Sequence, residues 1–343
     1  MRNRVIVPFS SLIVGSVLGC ASPSSDLPET SNAAALRVRS TLDLGGAPAR
    51  SVDVRDSVAA IGCGQGGLFL VDVSKPSEPS ILAHVQDLDA SAVAFGTDGL
   101  VVASAAPAFG GSPRLQVVDV LDPRAPVVGA AFAANFDVDT RLSTESGTIA
   151  AARRRDGPLV TDEHRLELAQ LRAIVQDGVD DAVLLRRGLL FVHATTKRWS
   201  GEGSHRVVIA HADRGEARDT IALAASPPDT SALALVGDDL LCASADRVEV
   251  VTSITTPARR LANPLPIRNV RGIAVDRNAA LLLAADGGQL VWVEPQALGD
   301  WTALAAIGLD DAGRDVALRG DVAFVAAGDA GLTVVELVRE PTP

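Results

Sequence analysis

S-V-D-V-R-D-S-V-A-A-I-G-C-G-Q-G-G-L-F-L-V-D-V, Ser51–Val73, and D-V-A-L-R-G-D-V-A-F-V-A-A-G-D-A-G-L-T-V-V-E-L, Asp315–Leu337, stand near opposite ends of a 343-residue chain and align without a gap. Both read as an alternating apolar strand, a polar turn, a strand of small and apolar residues, a glycine-rich turn and a third strand. Alternation at period two is the signature of a strand with one face buried, and Gly and Asp supply the backbone freedom of the turns.

The plan recurs between these two copies. The first strand of each unit has its landmark at Val52, Val93, Leu142, Val183, Leu233, Ile273 and Val316. Second strands begin near Val58, Leu100, Thr148, Leu189, Leu240, Leu281 and Val322. Third strands fall at Leu68–Val73, Leu115–Val120, Leu166–Leu171, Val207–His211, Val248–Val251, Leu290–Val293 and Leu332–Leu337. A fourth strand follows in most units: Ile81–Val85, Val127–Phe132, Ala217–Leu223 and Thr302–Leu309. Four short strands every 40 to 50 residues or so match one blade of a β-propeller and no helical solenoid. The expectation is all-β: a single seven-bladed β-propeller of four-stranded antiparallel blades, spanning residues 35–340. Six blades, or two domains, is the alternative.

Two segments sharpen this reading: G-L-F-L-V-D-V-S-K-P-S-E-P, Gly67–Pro79, and L-Q-V-V-D-V-L-D-P-R-A-P, Leu115–Pro126. They resemble the LVIVD-repeat family of bacterial β-propellers, in which a strand ending in V-D-V or V-D-L leads into a D/S-x-P-x-x-P turn. Proline fixes that turn at the edge strand, where a missing N–H is tolerated. The resemblance is close in units one, two and seven. Units three and five lack the Asp and both prolines, and His211 replaces the Asp in unit four.

The seventh unit runs out of chain after its third strand. Arg37–Leu44 precedes the first unit and has no sheet of its own, so it is expected to supply the missing fourth strand and close the ring. A closed ring has no open sheet edge.

The first residues read as an address. Arg2 and Arg4 form a positive start, and Val5–Leu18 is apolar but broken by Pro8, Ser10 and Ser11, too short to span a bilayer. The stretch ends in V-L-G-C, Val17–Cys20, which resembles the lipobox of bacterial lipoproteins. That resemblance implies a signal peptide over 1–19, a lipid on Cys20 and, with Ala21 following, sorting to the outer membrane. Residues 20–34 are rich in Ser, Pro and Ala and read as a flexible tether.

The formal net charge is −11, and −13 without Arg2 and Arg4, which argues against nucleic acid as a partner. Tyr is absent and there are three Trp, too few for a stacked sugar platform. Cys63 and Cys242 fall in non-neighbouring units and are expected as buried thiols.

The sequence holds no phosphate loop, no nucleophile elbow and no H-E-x-x-H or C-x-x-C motif. His193, His205 and His211 share unit four; packed or solvated histidines are the expectation, and no metal ligand or catalytic residue is assigned. Acidic residues gather where one unit passes to the next: Asp87, Asp89, Asp177, Asp180, Asp181, Asp229, Asp310, Asp311 and Asp315. They read either as ordinary turn residues or as an electronegative channel mouth able to hold Ca²⁺.

Long connections between second and third strands fall at Ala105–Arg114, Arg153–Arg165 and Ala194–Arg206. Arg153, Arg154, Arg155, Lys197, Arg198, Trp199, His205 and Arg206 make a cationic, Trp-bearing patch on an acidic chain, the candidate partner-binding surface. The functional expectation is a monomeric, envelope-anchored binding propeller for a protein or surface polymer. The alternative is a hydrolase or lactonase working at the channel mouth.

Overall fold

A computed structural model describes residues 34–97, 99–104, 114–133, 142–151, 159–162, 179–195, 205–212, 217–223, 232–244, 246–254, 260–276, 279–284, 288–296, 300–309 and 313–339. Among the described residues the alternating sequence makes strands joined by turns. After β1 (Ala34–Leu42), sheet 1 is built from β2 (Ser51–Arg55), β3 (Val58–Gly62), β4 (Leu68–Asp72) and β5 (Ser80–Val85). Sheet 2 has β6 (Ala92–Phe95), β7 (Leu100–Ser104), β8 (Arg114–Asp119) and β9 (Val127–Ala133); sheet 3 has β10 (Leu142–Glu145), β11 (Thr148–Ala151) and β12 (Leu159–Asp162). Sheet 4 has β13 (Val179–Arg186), β14 (Leu189–Thr195), β15 (His205–His211) and β16 (Ala217–Ala222). Sheet 5 has β17 (Leu233–Val236), β18 (Asp239–Ala243), β19 (Val248–Thr252) and β20 (Arg260–Leu261). Sheet 6 has β21 (Val270–Asp276), β22 (Ala279–Ala284), β23 (Gln289–Pro295) and β24 (Trp301–Gly308). Sheet 7 has β25 (Asp315–Arg319), β26 (Val322–Ala326) and β27 (Leu332–Arg339).

Each sheet is an antiparallel meander in chain order, and β1 joins the last one in the order β1-β27-β26-β25. The first strand of each sheet lies against the first strand of the next, and β25 lies against β2. The fold is an all-β propeller. It corrects the expectation in one respect: six of the sheets are complete four-stranded blades, not seven, and sheet 3 has three strands among the described residues. The third strand of that unit was expected at Leu166–Leu171. It lies instead at Leu159–Asp162, where Val160 is buried opposite Ala150. The long connection expected at Arg153–Arg165 is accordingly confined to residues 152–158, and residues 166–171 lie outside the described ones.

The core lies between sheets. β3 and β4 are covered on both faces, which is why V-A-A-I-G and L-F-L-V-D read as nearly continuous apolar runs. One cluster joins sheet 7 to sheet 1 through Phe324, Leu332, Val334, Val52, Ile61 and Phe69. Equivalent clusters join sheets 1 and 2, and sheets 5 and 6. Trp292 is buried between sheets 6 and 7, as a strand-borne indole should be, and its N–H donates to Glu294 at 3.0 Å.

β1 runs antiparallel to β27, from Ala34 opposite Arg339 to Leu42 opposite Leu332, with an irregularity between Val38 and Ser40. Only Leu36 of this strand is buried, the pattern of an outer strand. Gly67 and Gly331, equivalent in the two aligned copies, explain why β1 fits there. Both have positive φ, +94° and +78°. A Cβ on Gly67 would stand 2.6 Å from the carbonyl oxygen of Val85, at the end of β5. A Cβ on Gly331 would strike the carbonyl oxygen of Leu42, at the end of β1. The same glycine thus meets the fourth strand in sheet 1 and the N-terminal strand in sheet 7.

Candidate functional site

The starts of the first strands surround a central cavity of about 290 Å³. Its lining comes from all seven sheets and includes Ser51, Asp53, Ser143, Thr144, Arg271 and Asp315. First strands are short and alternate, so inward positions reach the axis while their neighbours pack between sheets; those of sheets 1, 3, 6 and 7 are polar, and sheets 2, 4 and 5 contribute apolar residues such as Ala94, Leu184 and Leu233.

These polar groups are tied from sheet to sheet. Asp315 accepts hydrogen bonds from the Ser51 hydroxyl at 2.9 Å and the Val52 N–H at 3.1 Å, joining sheet 7 to sheet 1. The Ser51 oxygen in turn accepts the Val93 N–H of sheet 2 at 3.2 Å. Asp53 accepts the Phe95 N–H of sheet 2 at 2.7 Å on one oxygen and the Val54 N–H at 2.8 Å on the other. The Thr144 hydroxyl of sheet 3 donates to the Phe95 carbonyl at 2.6 Å. Burial raises the Asp53 carboxyl from 3.8 to about 6, the nearby Asp315 charge adds to the rise, and the two N–H donors oppose it.

A second belt lies at the turns after the first strands. Arg55 donates to the Gly96 carbonyl of sheet 2 at 2.7 Å and stacks over Phe95 at 4.7 Å. Its equivalent, Arg319, donates to the carbonyls of Asp56 and Val73 in sheet 1. Arg187 reaches the Gly237 carbonyl of sheet 5 at 3.2 Å. Backbone bridges add to these. Gly328 pairs with Ala49, before β2, and Gly64 pairs with Ala90, before β6.

Of the acidic residues expected to ring the mouth, Asp315 lines the cavity. Asp89 is held by the Ser91 hydroxyl at 3.2 Å, and burial raises its carboxyl. Asp87 is exposed, and Asp180 and Asp181 lie in β13. Asp177, Asp229, Asp310 and Asp311 lie outside the described residues. Asp53 escaped the sequence reading because it sits inside a strand rather than at a junction; its polar character at an inward position was the available signal.

Arg153, Arg154, Arg155, Lys197, Arg198 and Trp199 lie outside the described residues, as does Cys20. His205 and Arg206 begin β15 and belong to no loop. His205 is buried and faces His193 across the sheet, so it adds nothing to an exposed patch. His211 stands at the far end of β15, opposite Leu189. The two remaining cysteines are buried free thiols, and burial pushes Cys63 up to about 12. Cys242, on β18 of the neighbouring sheet, joins His193 and His205. Their donor atoms all lie within 4.8 Å of one another. The chain separation of Cys242 from the histidines hid this cluster from any local pattern.

The LVIVD repeat family model matches residues 46–87 and 312–337, the two ends that meet in sheets 7 and 1. These two stretches match the LVIVD repeat. The LVIVD strands β4 and β27 are the third strands of their sheets, and the Asp that closes V-D-V has a structural task. Asp72 accepts the Ser74 N–H at 2.8 Å and Asp119 accepts the Leu121 N–H at 2.9 Å, each starting the proline turn. Among curated proteins, none matches this chain. Among solved structures it is similar to a chain of hydrazine synthase from Kuenenia stuttgartiensis (TM-score 0.66, 13% identity, covering 89% of this chain and 99% of that one). It is also similar to the WD40 β-propeller domain of Doa1 (TM-score 0.65, 13% identity, 89% and 97%). A chain of the mitotic checkpoint complex aligns as well (TM-score 0.63, 13% identity, 99% and 100%). At these identities the likeness is one of fold.

Proposed function

We propose that this chain is a non-enzymatic, extracytoplasmic binding propeller, anchored in the outer membrane of a bacterial envelope by a lipid on Cys20, with a protein as its partner. The observation that carries the reading is the hydrogen-bonded belt that ties sheets 7, 1, 2 and 3 along the cavity. Its carboxylates are engaged: Asp53 accepts the Phe95 N–H of the neighbouring sheet on one oxygen and the Val54 N–H of its own strand on the other, and Asp315 holds Ser51 and Val52 of sheet 1. Such a belt stiffens a platform; a hydrolase at this mouth would need a carboxyl presented to substrate. Likeness of fold to a WD40 propeller and to a chain of a protein assembly supports a protein over a polymer. The small number of aromatic residues points the same way.

β1 is proposed to close the ring as the outer strand of the last blade. Contact of β25 with β2 and the matching roles of Gly67 and Gly331 support this. The partner is proposed to dock on the loops that carry Arg153, Arg154, Arg155, Lys197, Arg198 and Trp199.

The test is capture of envelope proteins by the immobilised full chain, followed by identification and direct binding of the captured partner. Trp199→Ala and charge reversal at Arg153, Arg154 and Arg155 are expected to weaken binding and leave the melting temperature in place. Lys75→Glu and Arg124→Glu, in turns after third strands on the opposite side, are expected to leave binding intact. If only the latter pair impairs it, the docking face is the other one. If no protein binds while an envelope polysaccharide does, the partner class is wrong.

A further inference from the structure

Three features of the molecule stand out: an exposed apolar edge at Leu121, Val127 and Val128, the central acidic pair, and a buried cluster between sheets 4 and 5. Nothing in the structure shows what covers the first, and the second is spent on the belt. The third carries an inference.

His193 on β14 and His205 on β15 point into the interface with sheet 5, where Cys242 enters from β18. His193 and Cys242 are fully buried and His205 nearly so. The imidazoles approach edge to face, with centroids 4.6 Å apart and Nε2 facing Nε2. One N–H···N bond can account for that contact. It does not account for the rest. Among the described residues His193 Nδ1 is buried with no hydrogen-bond partner, a loss costing about 1–3 kcal/mol in an apolar setting. Among the described residues the Cys242 thiol has a 3.8 Å contact with the Ala243 carbonyl of the next residue. An interface otherwise filled by Phe191, Val207, Ile209, Leu235 and Leu240 has no packing reason to gather two imidazoles and a thiol.

We propose that this cluster is a binding site for a monovalent thiophilic metal ion, Cu⁺, held by one nitrogen each of His193 and His205 and by the Cys242 sulfur. Thiolate and imidazole together select soft late metals, and three ligands suit Cu⁺. Binding exchanges the Cys242 S–H bond for an S–Cu bond and releases one proton to solvent. Thiolate and Cu⁺ then cancel, so no net charge is buried. A divalent ion would leave one positive charge among apolar side chains. Glu249, the nearby carboxylate, already faces Arg247 at 3.3 Å. The wedge of metal joins sheet 4 to sheet 5 across a contact that is otherwise apolar.

The experiment is an anaerobic titration of the full chain with Cu⁺ against a chromophoric Cu⁺ chelator. Wild type is expected to retain one Cu⁺ per chain. Cys242→Ala and His193→Gln are expected to lose affinity about a hundredfold or more, since even outer-shell changes cost ten- to a hundredfold. Cys63→Ala, the buried thiol outside the cluster, is expected to retain it. X-ray absorption of the copper-loaded wild type is expected to show one sulfur and two nitrogen neighbours, and this measurement stands if a variant fails to fold. No stoichiometric retention, a shell without sulfur, or unchanged affinity in folded Cys242→Ala overturns the site. Tighter retention of Zn²⁺ than of Cu⁺ overturns the choice of ion.

Discussion

At the scale of single residues, two positions separate effects that usually travel together. Gly331 has φ +78° and a carbonyl oxygen where its Cβ would be, whereas Gly46 has φ +80° and open space. Replacing Gly46 by Ala therefore tests backbone conformation alone, and a loss of about 1 kcal/mol is expected. Gly331→Ala adds the collision with Leu42 and should cost about 2 kcal/mol or more. Urea unfolding of both variants checks the difference; equal losses would mean that β1 does not press on this turn. Asp53 offers a pH test. Its folded value, about 6, stands above the unfolded 3.8, so between the two the folded chain holds a proton that the unfolded chain has released. Stability from this residue is present below the unfolded value and is lost as pH rises through 6. From pH 5 to pH 7 the loss should be on the order of 1 kcal/mol. Asp53→Asn should remove that slope from the unfolding free energy; an unchanged slope would show that the carboxyl is not held above its ordinary range.

At the scale of strands, removing residues 34–42 should strip the ladder from β27 and expose an edge, giving a lower melting temperature and aggregation. Removing residues 22–32 should change the melting temperature little. Like behaviour of the two deletions would mean that β1 adds nothing to sheet 7. The strands most legible in the sequence are those whose local pattern is set by their own sheet. Leu68–Asp72 and Leu332–Arg339 combine an unbroken apolar run with a preceding glycine turn, and both were found in place. Arg260–Leu261 was not foreseen, since two residues carry no period. In unit three, L-V-T-D at Leu159–Asp162 and the apolar–polar alternation at Leu166–Leu171 are equally strand-like. Only pairing with β11 chooses between them. The cavity and the His193–His205–Cys242 cluster were less legible still, because they depend on which side chains of different sheets meet. No spacing along the chain encodes that.

At the scale of the whole molecule, the belt and the apolar wedges make neighbouring sheets depend on each other, so the propeller should melt as a unit. Anchoring is a separate matter. Cys20→Ser is expected to abolish incorporation of labelled fatty acid and to move the protein from the membrane to the soluble fraction, with the propeller's circular dichroism intact. Membrane retention of that variant after normal signal cleavage would rule out the lipid anchor. Among the described residues no helix is long and apolar enough to cross a membrane.

The pairing of Ala34 with Arg339 bears on how the chain is assembled. β1 is the first strand of the domain to be synthesised, and its partner is the last. Until β27 exists, β1 has no ladder to join, and every other sheet can form from local meanders while it waits. The contact it finally makes is among the longest in sequence the chain allows, and such contacts are the slow ones. A chain stalled short of β27 would hold five four-stranded sheets and the three-stranded sheet 3, with β1 unpaired and the edge of β26 open. The sparse burial of β1, with Leu36 alone covered, suits a segment that must spend that interval in water without finding the wrong strand first.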